Sequence, residues 1–156
     1  MPSILERLAG TSHRLRALLV GGERSSAVEG GWSLAQELGH LHDLEPLWLQ
    51  RASDIIEGQP TLTVADLSNR TTHESDHDRW SVAEHIDRFE RSRLVFVARL
   101  RDTSPDELLT RASKHPRLGT PMRLIDLAFF VAEHDDHHMA RLRELKGYRG
   151  THSSKL

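Results

Sequence analysis

Apolar residues recur every three or four positions over four separate stretches of the chain, and no stretch makes a convincing strand. In residues 3–20 the stripe is Ile4, Leu8, Leu15, Leu18 and Leu19. From Ser33 it runs Leu34, Leu38, Leu41, Leu44 and Trp48, with Ile55 near the end and Gly58 as the stop. From Ser81 it runs Val82, Ile86, Phe89, Phe96/Val97 and Leu100. The last stripe holds Leu124, Leu127/Ala128 and Val131, then resumes at Leu142 and Leu145. Each predicts an amphipathic helix with one inward face, and four of them predict an all-α four-helix bundle.

The punctuation agrees. Ser33 with Gln36 and Ser81 with Glu84 form capping boxes inside the similar strings WSLAQ and WSVAE. The last helix is expected over 120–146, with Thr120 as N-cap, Pro121 at the first helical position and Gly147 as the stop. Pro46 predicts a kink in the second helix near His42, and Ser104-Pro105 opens a short extra helix. Residues 21–31 form a glycine-rich connection. Residues 58–80 form a long polar one, in which His73 and His77 lie among acids and are expected to be solvated. The chain reads as a single domain over 1–150 followed by a tail, 151–156.

The last apolar stripe carries the candidate chemistry. Between Val131 and Leu142 it passes through His134 and His138, four apart and so on one face. Two inward imidazoles compete for few polar partners in a core but suit one metal ion. His40, in line with Leu44 and Leu47, is the best-placed third ligand. It lies about 10 Å from the start of its helix, and the pair lies about 18 and 12 Å from the end of theirs. The three come level only if the second and fourth helices run antiparallel. That requires an up-down-down-up bundle with a long crossover between helices 2 and 3. Residues 58–80 can stretch to about 75 Å, well beyond a helix length of about 37 Å.

Composition narrows the chemistry. With a net charge of −2 and no cysteine among 156 residues, there is no basic footprint for nucleic acid and no thiolate or Cys-type zinc site. Any metal must rest on His, Asp or Glu. The first residues are too short and polar a stretch for a signal peptide, and no apolar run approaches a membrane span. A cytoplasmic protein is expected; the terminal Ser-Lys-Leu would address a peroxisome only in a eukaryote.

Three segments, WSLAQELGHL at 32–41, HPRLG at 115–119 and AEHDDHHMARL at 132–142, resemble the DinB-like (YfiT-type) superfamily of metalloenzymes. The resemblance implies an up-down-down-up four-helix bundle, often a homodimer, that acts on a small-molecule substrate. It implies one divalent metal ion, nickel or zinc foremost, on three histidines, which fall on His40, His134 and His138. It also implies transfer or isomerisation dependent on a low-molecular-weight thiol. Metal-dependent hydrolysis, a di-iron carboxylate site and a non-catalytic metal-binding scaffold are the alternatives. Glu37 with His40 and Asp135 with His138 supply the spacing that keeps the di-iron reading open. His137, His85 and Asp135 are the remaining candidates for acid–base or orienting roles. Arg88, Arg91, Arg93, Arg99 and Arg101 read as a solvated basic face of helix 3.

Overall fold

Capping boxes set where the helices begin. Ser3, Ser33, Ser81 and Ser104 each accept a hydrogen bond from the backbone N–H three residues on, and the Glu6, Gln36, Glu84 and Glu107 side chains each accept one back from the cap's own N–H. These bonds satisfy donors that a helix start leaves open. The structure, a computed structural model, describes residues 3–21 and 31–147. The tail at 151–156 and most of the glycine-rich connection lie outside the described residues.

Helices α1 (Ile4–Ala9) and α2 (Thr11–Leu19) make the first rod, jointed at Gly10. Helices α3 (Leu34–Asp43) and α4 (Glu45–Ile56) make the second, jointed at Leu44, and Pro46 occupies the first turn of α4, where its missing N–H costs nothing. The crossover carries α5 (Arg70–Glu74) and a 3-10 turn at His77–Arg79. Helix α6 (Val82–Arg101) is the third rod, α7 (Pro105–Thr110) a short connector, and α8 (Leu124–Gly147) the fourth rod. Side-chain pairs fix the directions. Lys146 reaches the carbonyls of Leu18 and Val20 while Arg7 meets Glu133, so the first and fourth rods are parallel. Glu37 meets His138 while Trp48 lies against Phe130, so the second rod opposes the fourth. Ser12 meets Glu90 and Arg16 meets Asp87, so α6 opposes the first rod. This is the up-down-down-up arrangement.

The inward stripes pack as two apolar clusters, one around Leu8, Trp48, Phe96 and Val131, the other around Leu15, Leu38, Phe89 and Leu142. On every rod a buried polar residue falls between the two sets: Thr11, Glu45, Arg93 and Asp135. The metal-ligand candidates occupy this same polar layer.

Three expectations change. The final helix begins at Leu124 rather than at Thr120. Pro121–Arg123 form strand β2, antiparallel to β1 (Ala112–Lys114), and the Asp126 side chain caps the helix by accepting from the Arg123 N–H. Alternation over three residues, with only Met122 turned inward, is too short to read as a strand. His77 is buried rather than solvated, because the 3-10 turn folds back on α3. Arg93 leaves the basic face of α6 and is 2% exposed, since Glu45 and Asp135 form charge-assisted bonds with it inside the bundle. No described helix is long and apolar enough to cross a membrane.

Candidate metal centre

His134 and His138 stand one turn apart on α8, and the antiparallel α3 brings His40 level with them. The three ring centroids are 4.4–5.4 Å apart. One ligand nitrogen from each ring can be chosen so that all lie within 4.8 Å of one another. The Nε2 atoms of His134 and His138 approach to 3.2 Å. A zinc–nitrogen bond is about 2.0–2.1 Å, so two nitrogens on one ion lie at most about 4.2 Å apart; the His134–His138 pair is already inside that limit, and no pair has to close by more than about 0.6 Å.

The surrounding side chains choose which nitrogen points inward. Glu37 takes the Nδ1–H of His138 at 2.6 Å, and its other oxygen takes Arg141 Nε at 2.5 Å. Thr72 spends its own hydroxyl proton on Asp43, so its oxygen faces His40 Nδ1 as an acceptor at 3.0 Å. Both bonds place the ring proton on Nδ1 and leave the Nε2 lone pair free for a metal. His134 Nδ1 is buried with no hydrogen-bond partner among the described residues. Packing holds that ring instead: Trp48 meets it edge-on at 5.5 Å. Trp32 stacks on His138 at 6.2 Å and 13°.

Burial tunes the charges. It pushes His40 down to about 4, helped by the neighbouring His138. It drives His134 still further below its ordinary value. Both imidazoles are therefore neutral at pH 7, the state a ligand needs. Burial alone would raise the Glu37 carboxyl, but the hydrogen bonds from His138 and Arg141 outweigh it and hold the group below its usual value. The donor set fits a divalent ion.

A cavity of about 360 Å³ opens from His40 and His134. Leu44, Leu47, Trp48 and Phe130 give it an apolar wall, and residues 64–67 and 69 of the crossover, with the turn at 115–117, complete its lining.

The profile of the DinB superfamily matches residues 2–142. The chain belongs to the DinB superfamily. Among solved structures it is similar to YfiT from Bacillus subtilis, described as a probable metal-dependent hydrolase with an unusual four-helix bundle topology. That match has a TM-score of 0.80 at 17% identity and covers 92% of this chain and 84% of the other. No curated protein matches the chain.

Within this DinB bundle the other candidate residues separate. Asp135 is buried and turned into the bundle interior, where it binds Arg93 and accepts from Thr11 Oγ1 at 2.8 Å. Asp136 pairs with Arg7 and Arg14. His137 is exposed, its ring edge-on to His138 at 5.2 Å. His85 is buried and bonds the carbonyl of His77 at 2.9 Å. Glu37, Glu45 and Asp135, the carboxylates a di-iron site would draw on, are all committed to cations. Thr72, Asp43, Trp32 and Trp48 were not legible as site residues. Thr72 reaches His40 only because the crossover folds onto α3, and periodicity cannot report that.

Proposed function

We propose that this DinB-superfamily chain is a divalent-metal-dependent enzyme that transfers a small nucleophile, water or a low-molecular-weight thiol, to an electrophilic small molecule. The convergence of His40, His134 and His138 on one point beside an open cavity carries this reading. Three protein ligands leave positions open on the ion, as catalytic rather than structural sites do. Nickel or zinc held there would supply Lewis acidity, lowering the pKa of whatever water or thiol reaches it. The chain's own residues do the rest. Glu37 and Thr72 hold two rings in the right tautomer, and Trp32 and Trp48 exclude water from the imidazoles. No cysteine is available, so a thiol nucleophile must come from solution. The description of YfiT supports the water arm.

The test is elemental analysis of untagged protein beside His138→Ala. About one metal per wild-type chain, lost in the variant, supports the site. Turnover of an activated ester, with and without added thiols, then separates hydrolysis from thiol transfer. A wild-type chain that retains no metal and binds neither nickel nor zinc would overturn the proposal.

A further inference from the structure

His40, Leu44, Leu47, Trp48 and Arg51 lie at intervals of 4, 7, 8 and 11 residues from the first, along one side of the second rod, and all line the same cavity. From His40 to Arg51 the rod rises roughly 16 Å. The cavity thus has a histidine end, an apolar middle and an arginine end.

The arginine end is unusual. Arg51 is 3% exposed. Its Nε donates to the Thr63 carbonyl at 2.9 Å, and its guanidinium lies 5.8 Å from the Trp48 ring. Neither terminal nitrogen makes a hydrogen bond to a described residue, and no described carboxylate lies within ion-pair distance. Asp54 is the acid whose charge it feels, but Asp54 is occupied by Gln50 and by the N–H and hydroxyl of Thr63. Asp66, also on the wall, is taken up by Ser68 and the Arg70 N–H. The unclaimed fork of Arg51 opens onto the cavity, where a planar anion can meet both terminal nitrogens at once.

The HPRLG turn adds donors at the same place. The backbone N–H groups of Arg117 and Leu118 donate to His115 Nδ1, so the proton of that ring sits on Nε2 as a further donor. His115 is buried, lines the cavity, and feels the positive charges of Arg51 and Arg117.

We infer that Arg51, with His115 and Arg117, forms a subsite for the carboxylate of a substrate whose apolar body lies along Leu44, Leu47, Trp48 and Phe130 and whose reacting group reaches His40 and His134. The identity of the reacting end rests on the metal reading above; the anion subsite does not. The substrate class is an apolar-bodied small molecule with an anionic end, bound lengthwise.

The experiment is calorimetric titration of the full chain with 4-phenylbutyrate and with its neutral amide, 4-phenylbutanamide. It is run on zinc-loaded protein, on chelator-treated protein and on His138→Ala. The carboxylate is expected to bind about 10- to 100-fold tighter than the amide, the range a charged hydrogen-bonded pair supplies. That preference should persist without zinc and in His138→Ala. It should vanish in Arg51→Met, where the amide still binds. His115→Gln, which keeps a donor, and Arg117→Ala on the rim each lower the preference by a smaller factor and cover the case in which Arg51→Met fails to fold. Equal affinity for the two probes would overturn the subsite, as would a preference that survives Arg51→Met. A preference that disappears with the metal would place the carboxylate on the ion, sinking the subsite while supporting the metal site.

Discussion

A side chain at Gly39 would stand where the imidazole of His77 lies: an ideal Cβ there falls 2.2 Å from Nδ1 and 2.3 Å from Cε1. Glycine inside a helix costs about 0.5–1 kcal/mol relative to alanine, so Gly39→Ala would ordinarily stabilise α3. Here it must expel a ring that also approaches Asp43 at 3.2 Å and whose backbone carbonyl holds His85. We expect Gly39→Ala to destabilise by about 1–3 kcal/mol in urea unfolding, as overpacking does. Because the same segment carries Thr72, metal affinity should fall with it. His77→Ala in the same chain should restore part of the loss. A Gly39→Ala protein at least as stable as wild type would show that the glycine does not serve this docking.

Glu37 is expected to control how tightly the metal is held without touching it. It orients His138 through Nδ1 and is anchored in turn by Arg141. Removing such a partner typically weakens metal affinity by about 10- to 100-fold. Glu37→Gln should show that loss in a competition titration against a chromophoric chelator, while still reaching one ion per chain at saturation. Wild-type affinity in Glu37→Gln would remove the carboxylate from this role.

These two residues also show what the sequence could and could not disclose. The apolar stripes located the rods because burial on one helix face leaves a period of 3.6 residues. The level of the three histidines along those rods then demanded the crossover topology, since helix rise is a fixed length per residue. Glu37 was visible only as part of an E-x-x-H spacing, which cannot say whether a carboxylate meets a metal or the far side of a ring. By propensity alone, glycine at position 39 is a weak point in a helix. Its reason lies 38 positions away in the 3-10 turn, and contacts made by a folded-back loop carry no period. Arg93 was hidden among four other arginines of α6, and only the position of Glu45 and Asp135 on other rods singles it out.

Arg93 bridges Glu45 and Asp135 in the layer between the two apolar clusters, with all three side chains nearly inaccessible. Two carboxylates share one guanidinium. Burial, with Asp135 adding repulsion, pushes the Glu45 carboxyl up to about 7 against the pull of Arg93. Removing the cation strands both acids. Arg93→Met should cost about 3–5 kcal/mol, the usual penalty for breaking a buried pair. Arg93→Lys should recover only part of it, because an ammonium cannot present the fork that meets two carboxylates at once. Denaturant unfolding at pH 7.5 measures both. Near wild-type stability in Arg93→Met would mean that the acids take up protons at little cost.

Acid should weaken the metal-stripped fold through its buried histidines, against the opposite contribution of Glu45, whose raised carboxyl takes up its proton at about pH 7 in the folded chain. Burial holds His85 below its ordinary value, opposed by the hydrogen bond to the His77 carbonyl and helped by the charges of His77 and Arg88. Burial lowers His42 likewise, again with Arg88 contributing, and takes His40 to about 4. In the unfolded chain each titrates near 6.5. Above that pH all three are neutral in both states and no penalty exists. Below it the unfolded chain binds protons that the folded chain refuses, so stability falls with pH, by up to about 1.4 kcal/mol per unit for each such group. The loss continues until the folded-state values are passed, about 4 in the case of His40. His85→Gln removes one of these groups and should flatten the slope between pH 6.5 and 5 in urea unfolding, whatever it does to stability at pH 8. A slope unchanged by that substitution would mean that His85 already accepts its proton in the folded state, and that the bond to the His77 carbonyl, rather than burial, sets its charge.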